Sequence, residues 1–163
     1  MAQPITPIRD LDPEARALAH DLIAGARHVS LGTIDPDTGF PMVTRIALGT
    51  DPNGDLYTFV SGLSAHSRAL RADPRASLLI GEPGAKGDPL THPRLSLRAN
   101  ATLIPPSAPA TGALRKWWLA SHPKSKIYID LPDFFFVRFE PQDAMLNGGF
   151  ARAYRLNAED LRA

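Results

Sequence analysis

Short β-like runs alternate with turn residues along most of this sequence, and their spacing limits the folds that the chain can adopt. Val, Ile, Leu, Thr and Phe concentrate in the runs, whereas Gly, Pro, Asn and Asp concentrate between them. A doubly wound parallel sheet needs a helix after almost every strand, and that regular alternation is missing here. The pattern therefore predicts a mainly β protein with some α, a closed antiparallel barrel of six or seven strands flanked by helices, with strands at 29–34, 42–48, 56–60, 76–81, 94–104, 134–139 and 144–154.

Three stretches between the runs favour α-helices. Asp12-Pro-Glu14 combines a capping residue, a proline suited to the first turn and an acidic residue near the positive helix end, and this helix should end near Arg27. A short helix opens within the segment 61–74. The third helix spans 110–121, and we expect its Trp117 and Trp118 to pack in the core or at an interface rather than stack on a ligand.

Two later features bear on the sheet. Gly148 and Gly149 interrupt the last run and predict a kink or bulge within that strand. Phe134, Phe135 and Phe136 alternate across the preceding strand, so aromatic side chains project from both of its faces. One face belongs to the core, and we expect a dimer interface to cover the other.

The composition excludes several kinds of protein. With no cysteine among its 163 residues, the chain cannot form disulfides, use a thiol nucleophile, or bind zinc or iron–sulfur clusters through thiolates. The five histidines show no metal-ligand spacing, so no metal site is predicted. The net charge is +1 and neither sign forms a long block, which argues against a nucleic-acid partner or a membrane surface.

The length suits a single domain over residues 1–163. Residues 1–10 contain no apolar stretch like that of a secretion signal, and we expect them to be a flexible start. No run approaches the roughly 18 apolar residues of a membrane span. We therefore expect a cytoplasmic protein.

The segment 61–74 carries the most information about function. It follows one β-like run, precedes another, and begins Ser-Gly-Leu-Ser-Ala-His-Ser-Arg before a short helix. The free N–H groups and positive dipole at a helix start attract anions, and Ser64, His66, Ser67 and Arg68 offer further donors. The segment predicts a phosphate site, although an ordinary helix capped by Ser64 or Ser67 explains the same hydroxyl groups equally well.

The order of several spaced elements resembles a known family. These elements are Arg45, Ser61, Leu63-Ser64-x-His66-Ser67-Arg68, Asp73-Pro-Arg-Ala-Ser-Leu-Leu79 and Arg94-Leu-Ser-Leu97. Together they resemble the FMN-binding split-barrel proteins related to pyridoxamine 5′-phosphate oxidase. The likeness covers residues 14–155 and is strongest to the haem-utilisation branch, through Ser121-His-Pro123, Asp133-Phe134 and Gly148-Gly-Phe-Ala-Arg-Ala153.

This resemblance implies a split barrel that forms a homodimer and binds FMN at the subunit interface. Arg45 and the turn from Ser64 to Arg68 would hold the flavin phosphate. His66 takes the position of a family lysine, so its protonation at about pH 6 to 7 would matter. The implied cofactor-binding residues are Val43, Thr44, Arg45, Ile46, Ser61, Leu63, Ser64, His66, Ser67, Arg68 and Arg94.

The sequence also departs from its relatives. True pyridoxamine 5′-phosphate oxidases end with a substrate-binding segment containing an Arg-Leu-His type motif, which is missing here, so we do not expect vitamin B6 oxidation. The histidine-bearing C-terminal extension of haem-degrading relatives is missing too. The match around Gly148 and Gly149 implies a second-ligand pocket at Phe150 and Arg152.

The leading functional hypothesis is an FMN-dependent oxidoreductase acting on an unidentified small substrate. No residue stands out as a catalytic acid or base, which suits flavin chemistry that needs mainly alignment of the substrate. The alternatives are a haem-binding or oxygen-dependent haem-degrading protein, a non-catalytic flavin-binding module, and a dimeric scaffold without a cofactor. A deazaflavin in place of FMN is compatible with the same family.

Overall fold

Within residues 7–162, which the computed structural model describes, nine strands form one sheet that curls into a barrel without closing. The strands are β1 (Ile8–Arg9), β2 (His28–Ile34), β3 (Pro41–Ala47), β4 (Gly49–Thr50), β5 (Leu56–Ser61), β6 (Arg75–Ile80), β7 (Arg94–Ile104), β8 (Phe134–Asn147) and β9 (Ala153–Asn157). The helices are α1 (Pro13–Gly25), α2 (Ala65–Ala72) and α3 (Thr111–Ser121), with short 3₁₀ helices at Pro89–Thr91 and Pro123–Ile127. The predicted mainly β split barrel flanked by helices is confirmed.

Strand β8 is the branch point of the sheet. It pairs antiparallel with β7 along nearly its whole length. Its first half, from Phe134 to Phe139, also pairs with β5, and its last residues pair with β9. The barrel is therefore the series β5-β8-β7-β6-β2-β3, and β9 and β1 extend the sheet beyond it.

The barrel is open between β3 and β5. Strand β3 forms a ladder with β2, and within the described residues no ladder joins it to β5. Thr58 of β5 is fully buried and donates its hydroxyl to the Ala47 carbonyl of β3 at 2.6 Å. This hydrogen bond spans the opening between β3 and β5. We call this opening the seam. The expectation of a closed barrel is therefore wrong here. Within the described residues β3 has no ladder with β5, and only the two residues of β4, just beyond the end of β3, pair with β5.

Helix α1 begins as the sequence predicts. The Asp12 carboxylate accepts a hydrogen bond from the Ala15 N–H at 2.7 Å, and Pro13 occupies the first turn. Ala15, Ala19 and Ile23 then face the barrel interior, which aliphatic side chains from the long strands fill. In the region that the structure covers, no helix has the length and apolar character needed to cross a bilayer.

Helix α3 covers the outer face of β5 and β8. Phe59 and Phe136 lie there with ring centroids 4.7 Å apart, and the fully buried Trp118 packs against both. Phe135 points the other way, into the barrel interior. The prediction that the tryptophans pack is confirmed. The second aromatic face of β8 is covered by α3 of the same chain, and not by the dimer interface that we expected.

Two features of β8 and the turn after it differ from the prediction. We expected a break after Phe139, but the strand continues through Pro141, because a β-bulge opposite Arg98 and Ala99 accommodates a residue without an N–H. We also expected a glycine kink inside the last strand. Gly148 and Gly149 instead belong to the turn between β8 and β9, closed by a hydrogen bond from the Gly148 N–H to the Arg152 carbonyl.

A second outer face of the sheet has no cover within residues 7–162. It runs across β3, β2, β6, β7 and the end of β8, and we call it the outer sheet face. Val43, Leu79 and Met145 lie on it with exposed fractions of 70%, 44% and 37%. A groove of about 640 Å³ follows it over the small residues Gly32 and Ser77. Apolar side chains on an uncovered sheet face indicate a place where another surface packs.

Part of the expected flexible start is ordered. Residues 1–6 lie outside the described residues. Ile8–Arg9 forms β1 and pairs in parallel with β9, opposite Ala153 and Tyr154. The prediction that residues 1–163 form a single domain stays a prediction.

Replacing Thr58 with Val tests the seam. Valine keeps the shape of the side chain but leaves the half-buried Ala47 carbonyl without its donor, so we expect the free energy of unfolding to fall by about 1 kcal/mol. Urea denaturation measures this change. Thr102→Val, at an exposed position of β7, is the matched control and should change it by no more than about 0.5 kcal/mol. Equal losses in both variants would contradict a role for the seam bond.

Candidate functional site

The segment that predicts a phosphate site is a loop held by its own serines. Strand β5 ends at Ser61, whose carbonyl accepts hydrogen bonds from the hydroxyls of Ser64 at 2.7 Å and of Ser67 at 2.6 Å. The Ser61 hydroxyl itself accepts from the Leu63 N–H at 3.1 Å. The three serines therefore fold residues 61–64, which we call the phosphate loop, back onto the end of β5.

Helix α2 starts without a side-chain cap. Ser64 occupies the N-cap position, but its hydroxyl points back to the Ser61 carbonyl and accepts nothing from the helix. In the described part of the chain, the N–H groups of Ala65 and His66 donate to no protein acceptor. Of the two explanations for these hydroxyls, ordinary capping does not apply in this structure. The first turn is left with free donors, as an anion site requires.

His66 joins α2 to strand β3. Its Nδ1 lies 3.1 Å from the Thr44 hydroxyl, so two separate predicted parts of the site are in contact. Burial lowers the pKa of His66 below its usual 6.5, because a charged imidazole is poorly solvated there. The ring is therefore neutral at pH 7, and it offers a hydrogen bond rather than a positive charge.

The predicted residues of β3 divide between the two faces of the strand. Thr44 and the buried Ile46 point to the barrel side, and Ile46 belongs to the core. Val43 and Arg45 are exposed on the other side. Within residues 7–162, Arg45 makes no ion pair and no side-chain hydrogen bond, which leaves its charge available to a ligand.

Three other predicted residues differ in their surroundings. Ser67 is fully buried by its contact with the Ser61 carbonyl, and it does not reach the surface. Arg68 forms two hydrogen bonds with the Asp37 carboxylate, at 2.6 and 2.7 Å. Leu63 is 87% exposed on the phosphate loop.

Arg94 is not brought to this cluster within one chain. It begins β7, which is separated from β3 by β6 and β2, about 14 Å at the usual spacing of strands. Its guanidinium donates to the Leu90 carbonyl at 2.9 Å and so stabilises the loop that precedes β7.

The two residues predicted for a second-ligand pocket also lie apart from the cluster. Phe150 is 89% exposed in the turn between β8 and β9, and Arg152 pairs with Glu14 at 3.2 Å. This segment is a turn, and not the part of a strand that the sequence predicted. The second-ligand pocket stays a prediction.

Asp133 is a residue of the site that was not predicted from the sequence. Its carboxylate accepts the Ser61 hydroxyl at 2.5 Å, and its carbonyl accepts the Gly62 N–H at 2.7 Å. The signal in the sequence was the Asp133-Phe134 pair at the start of a strand. Its contact becomes visible only when β5 is paired with β8, which places Ser61 opposite Phe134.

The arrangement fits a phosphate monoester better than a metal ion or a nucleophile. Free N–H groups of α2, the His66 ring and the guanidinium of Arg45 are donors or positive charges. Anions are the ligands that such groups bind. The donor set therefore fits the phosphate of FMN, and Val43 to Ile46 lie on an edge strand whose free main-chain groups can meet a flat ring.

The open barrel, with free helix N–H groups beside β3, defines a split-barrel protein. A family model described as pyridoxamine 5′-phosphate oxidase matches residues 15–147, which is well over half of the chain. The chain belongs to this family. The resemblance drawn from the spaced sequence elements is therefore confirmed.

Relatives of known structure or description include haem proteins. A non-canonical haem oxygenase, HOZ, from chloroplasts of Arabidopsis thaliana is 34% identical over 118 residues, which is 71% of this chain and 34% of that protein. The chain thus spans about a third of the length of that relative. A haem-binding protein from Mycobacterium smegmatis is 28% identical, with a TM-score of 0.79 over 93% of this chain and 61% of that one.

The haem storage protein HutZ from Vibrio cholerae has a TM-score of 0.70, covering 86% of this chain and 97% of that chain. At 19% identity, this similarity shows the fold alone. The haem oxygenase from Arabidopsis thaliana and the haem-binding protein from Mycobacterium smegmatis confirm the likeness to the haem-utilisation branch.

The neutral state of His66 can be checked by NMR titration of its ring protons. Burial lowers the pKa of both His66 and His122, so we expect the His66 signals to titrate below 6.5. The unfolded rings take up protons near that pH and the folded rings do not. The free energy of unfolding therefore keeps its full value above pH 6.5 and falls as the pH decreases below 6.5.

His66→Gln is the control for this titration. It should remove the assigned signals and reduce the loss of stability on the acid side, leaving the part due to His122. Titration of His66 at or above pH 6.5 would contradict the burial of its ring.

Proposed function

We propose that this protein binds FMN through the phosphate loop and acts as a flavin-dependent oxidoreductase on a small substrate. The observation that supports this most is the uncapped start of α2, which lies against β3 through the contact between His66 and Thr44. A helix start with free N–H groups binds phosphate without further charges.

The chain's residues have distinct parts in this proposal. The N–H groups of Ala65 and His66 bind the phosphate, and Arg45 supplies the positive charge. Arg45 lies on the far face from Thr44, but β3 is an edge strand, so a long side chain can reach around it. When bound, the flavin supplies the electron transfer, and the protein supplies orientation and hydrogen bonds.

We also propose that two copies pack through the outer sheet face. Val43, Leu79 and Met145 are exposed apolar residues there, and Arg45 lies on the same side of β3 as Val43. A second copy that covers this face would exclude water beside Arg45 and place the flavin between subunits. Arg94, which one chain keeps apart from the cluster, would then be available to the partner's flavin.

Haem binding or haem breakdown is the second candidate function. It is favoured by the relatives described as haem oxygenase and haem-binding protein. A haemin titration followed by its visible spectrum separates the two candidates.

Arg45→Ala tests the flavin proposal. Loss of a charge-assisted hydrogen bond to phosphate should weaken FMN binding about tenfold or more. Quenching of flavin fluorescence measures the dissociation constant. Arg16→Ala removes the same charge from α1, where Arg16 pairs with Asp160, and should leave FMN affinity unchanged. If the wild-type protein does not bind FMN but changes the visible spectrum of haemin, the haem function would be favoured over the flavin function.

Leu79→Glu tests the proposed dimer. A carboxylate in the middle of the outer sheet face should convert the dimer to monomer in sedimentation experiments and weaken FMN binding with it. Leu131→Glu is the matched control, because Leu131 is 47% exposed, against 44% for Leu79, and lies outside that face. A wild-type monomer, or a Leu79→Glu dimer, would contradict this assembly.

A further inference from the structure

Asp133 holds the phosphate loop at two points. Its carboxylate accepts the Ser61 hydroxyl at 2.5 Å, and its main-chain carbonyl accepts the Gly62 N–H at 2.7 Å. Asp133 lies 72 residues further along the chain than Ser61, just before β8. The loop is thus attached to a different strand and not only to its own neighbours.

The contact with Asp133 sets the role of Ser61. A hydroxyl has a single donor hydrogen, and here that hydrogen goes to the Asp133 carboxylate. The oxygen then accepts from the Leu63 N–H at 3.1 Å. Ser61 consequently has no hydrogen left to give to a phosphate, so it shapes the loop rather than contacting the ligand.

Gly62 packs closely between Asp133 and Arg71. A Cβ at this position would lie 2.8 Å from the Asp133 carbonyl and 3.0 Å from the Arg71 guanidinium, so a larger residue would displace one of them. Arg71 also donates to the Gly62 carbonyl at 3.0 Å. Both sides of the loop are therefore fixed before the first turn of α2.

We propose that Asp133 is a positioning residue for phosphate recognition: it orients Ser61 and Gly62 so that the first N–H groups of α2 face the ligand. This inference rests on the proposed function, in which those groups bind the phosphate of FMN. Asp133 acts through the loop and does not touch the phosphate, which its own negative charge would repel. It is a specificity determinant for flavins that carry a phosphate.

The experiment compares FMN with riboflavin, which has the same ring but no phosphate. In Asp133→Ala, the N–H groups of α2 should be misoriented and lose about one hydrogen bond to the charged phosphate. FMN affinity should therefore fall about tenfold. Riboflavin affinity should stay within about twofold, because the ring contacts are unchanged. Fluorescence quenching measures both, and circular dichroism checks that the variant is folded. General destabilisation would weaken both ligands alike.

Two variants sharpen this comparison. Asp133→Asn keeps an acceptor oxygen for Ser61 and should restore most of the preference for FMN. Asp130→Ala removes the same charge three residues away, where Asp130 is exposed and paired with Arg115, and should leave the preference intact. An unchanged ratio of FMN to riboflavin affinity in Asp133→Ala would overturn the proposal.

Amide hydrogen exchange tests the same contact without any flavin. The Leu63 amide should exchange faster in Asp133→Ala than in wild-type protein, because its acceptor, the Ser61 hydroxyl, is no longer held by the carboxylate. The Gly62 amide is the internal reference, because it donates to the main-chain carbonyl of residue 133, which the variant keeps. If the wild-type protein binds neither flavin, the FMN proposal is contradicted, but the contact of Asp133 with the loop is not. Unchanged exchange at the Leu63 amide would contradict the role of the Asp133 carboxylate, whatever the protein binds.

Discussion

Backbone pairing between β5 and β8 is the interaction on which the candidate site depends. Its register places Ser61 opposite Phe134, so that Asp133 reaches the end of β5 and meets the phosphate loop. The same pairing places Phe59 and Phe136 on one outer face, where α3 covers them. A shift of one residue would turn each of these side chains to the opposite face and separate Asp133 from Ser61. The geometry of the loop and the position of α3 thus have a common origin.

The positive character of the site is local and comes mostly from the backbone. The chain as a whole carries a net charge of only +1. Burial keeps His66 neutral, and Asp37 engages Arg68, so neither adds a free positive charge. The uncapped N–H groups of α2 and the exposed Arg45 remain. Such a site binds an anion by oriented hydrogen bonds, and it does not need a basic surface around it.

Local patterns predicted most elements, and long-range contacts account for what they missed. Strand β7 was predicted with its observed bounds, because apolar and polar residues alternate along it without interruption. Strand β8 was predicted as two pieces, since Pro141 looks like an end until a bulge accommodates it. In the site, the loop and its serines were found from sequence. The partners of Arg68 and Ser61, which lie 31 and 72 residues away in the chain, were not, because only the folded topology brings them close.

The seam has a consequence for motion as well as for shape. A strand with neighbours on both sides must break two long ladders to move. By contrast, β3 must break its ladder with β2, the bond from Thr58 to Ala47 and the two-residue ladder of the adjoining β4 with β5. The least costly local opening of the barrel is therefore expected at the strand that carries Thr44 and Arg45. A bulky, flat molecule can then enter and leave beside α2 while the ladders among β6, β7 and β8 stay intact. Exchange of a ligand held between α2 and β3 would then be a local event, with a barrier well below that of global unfolding.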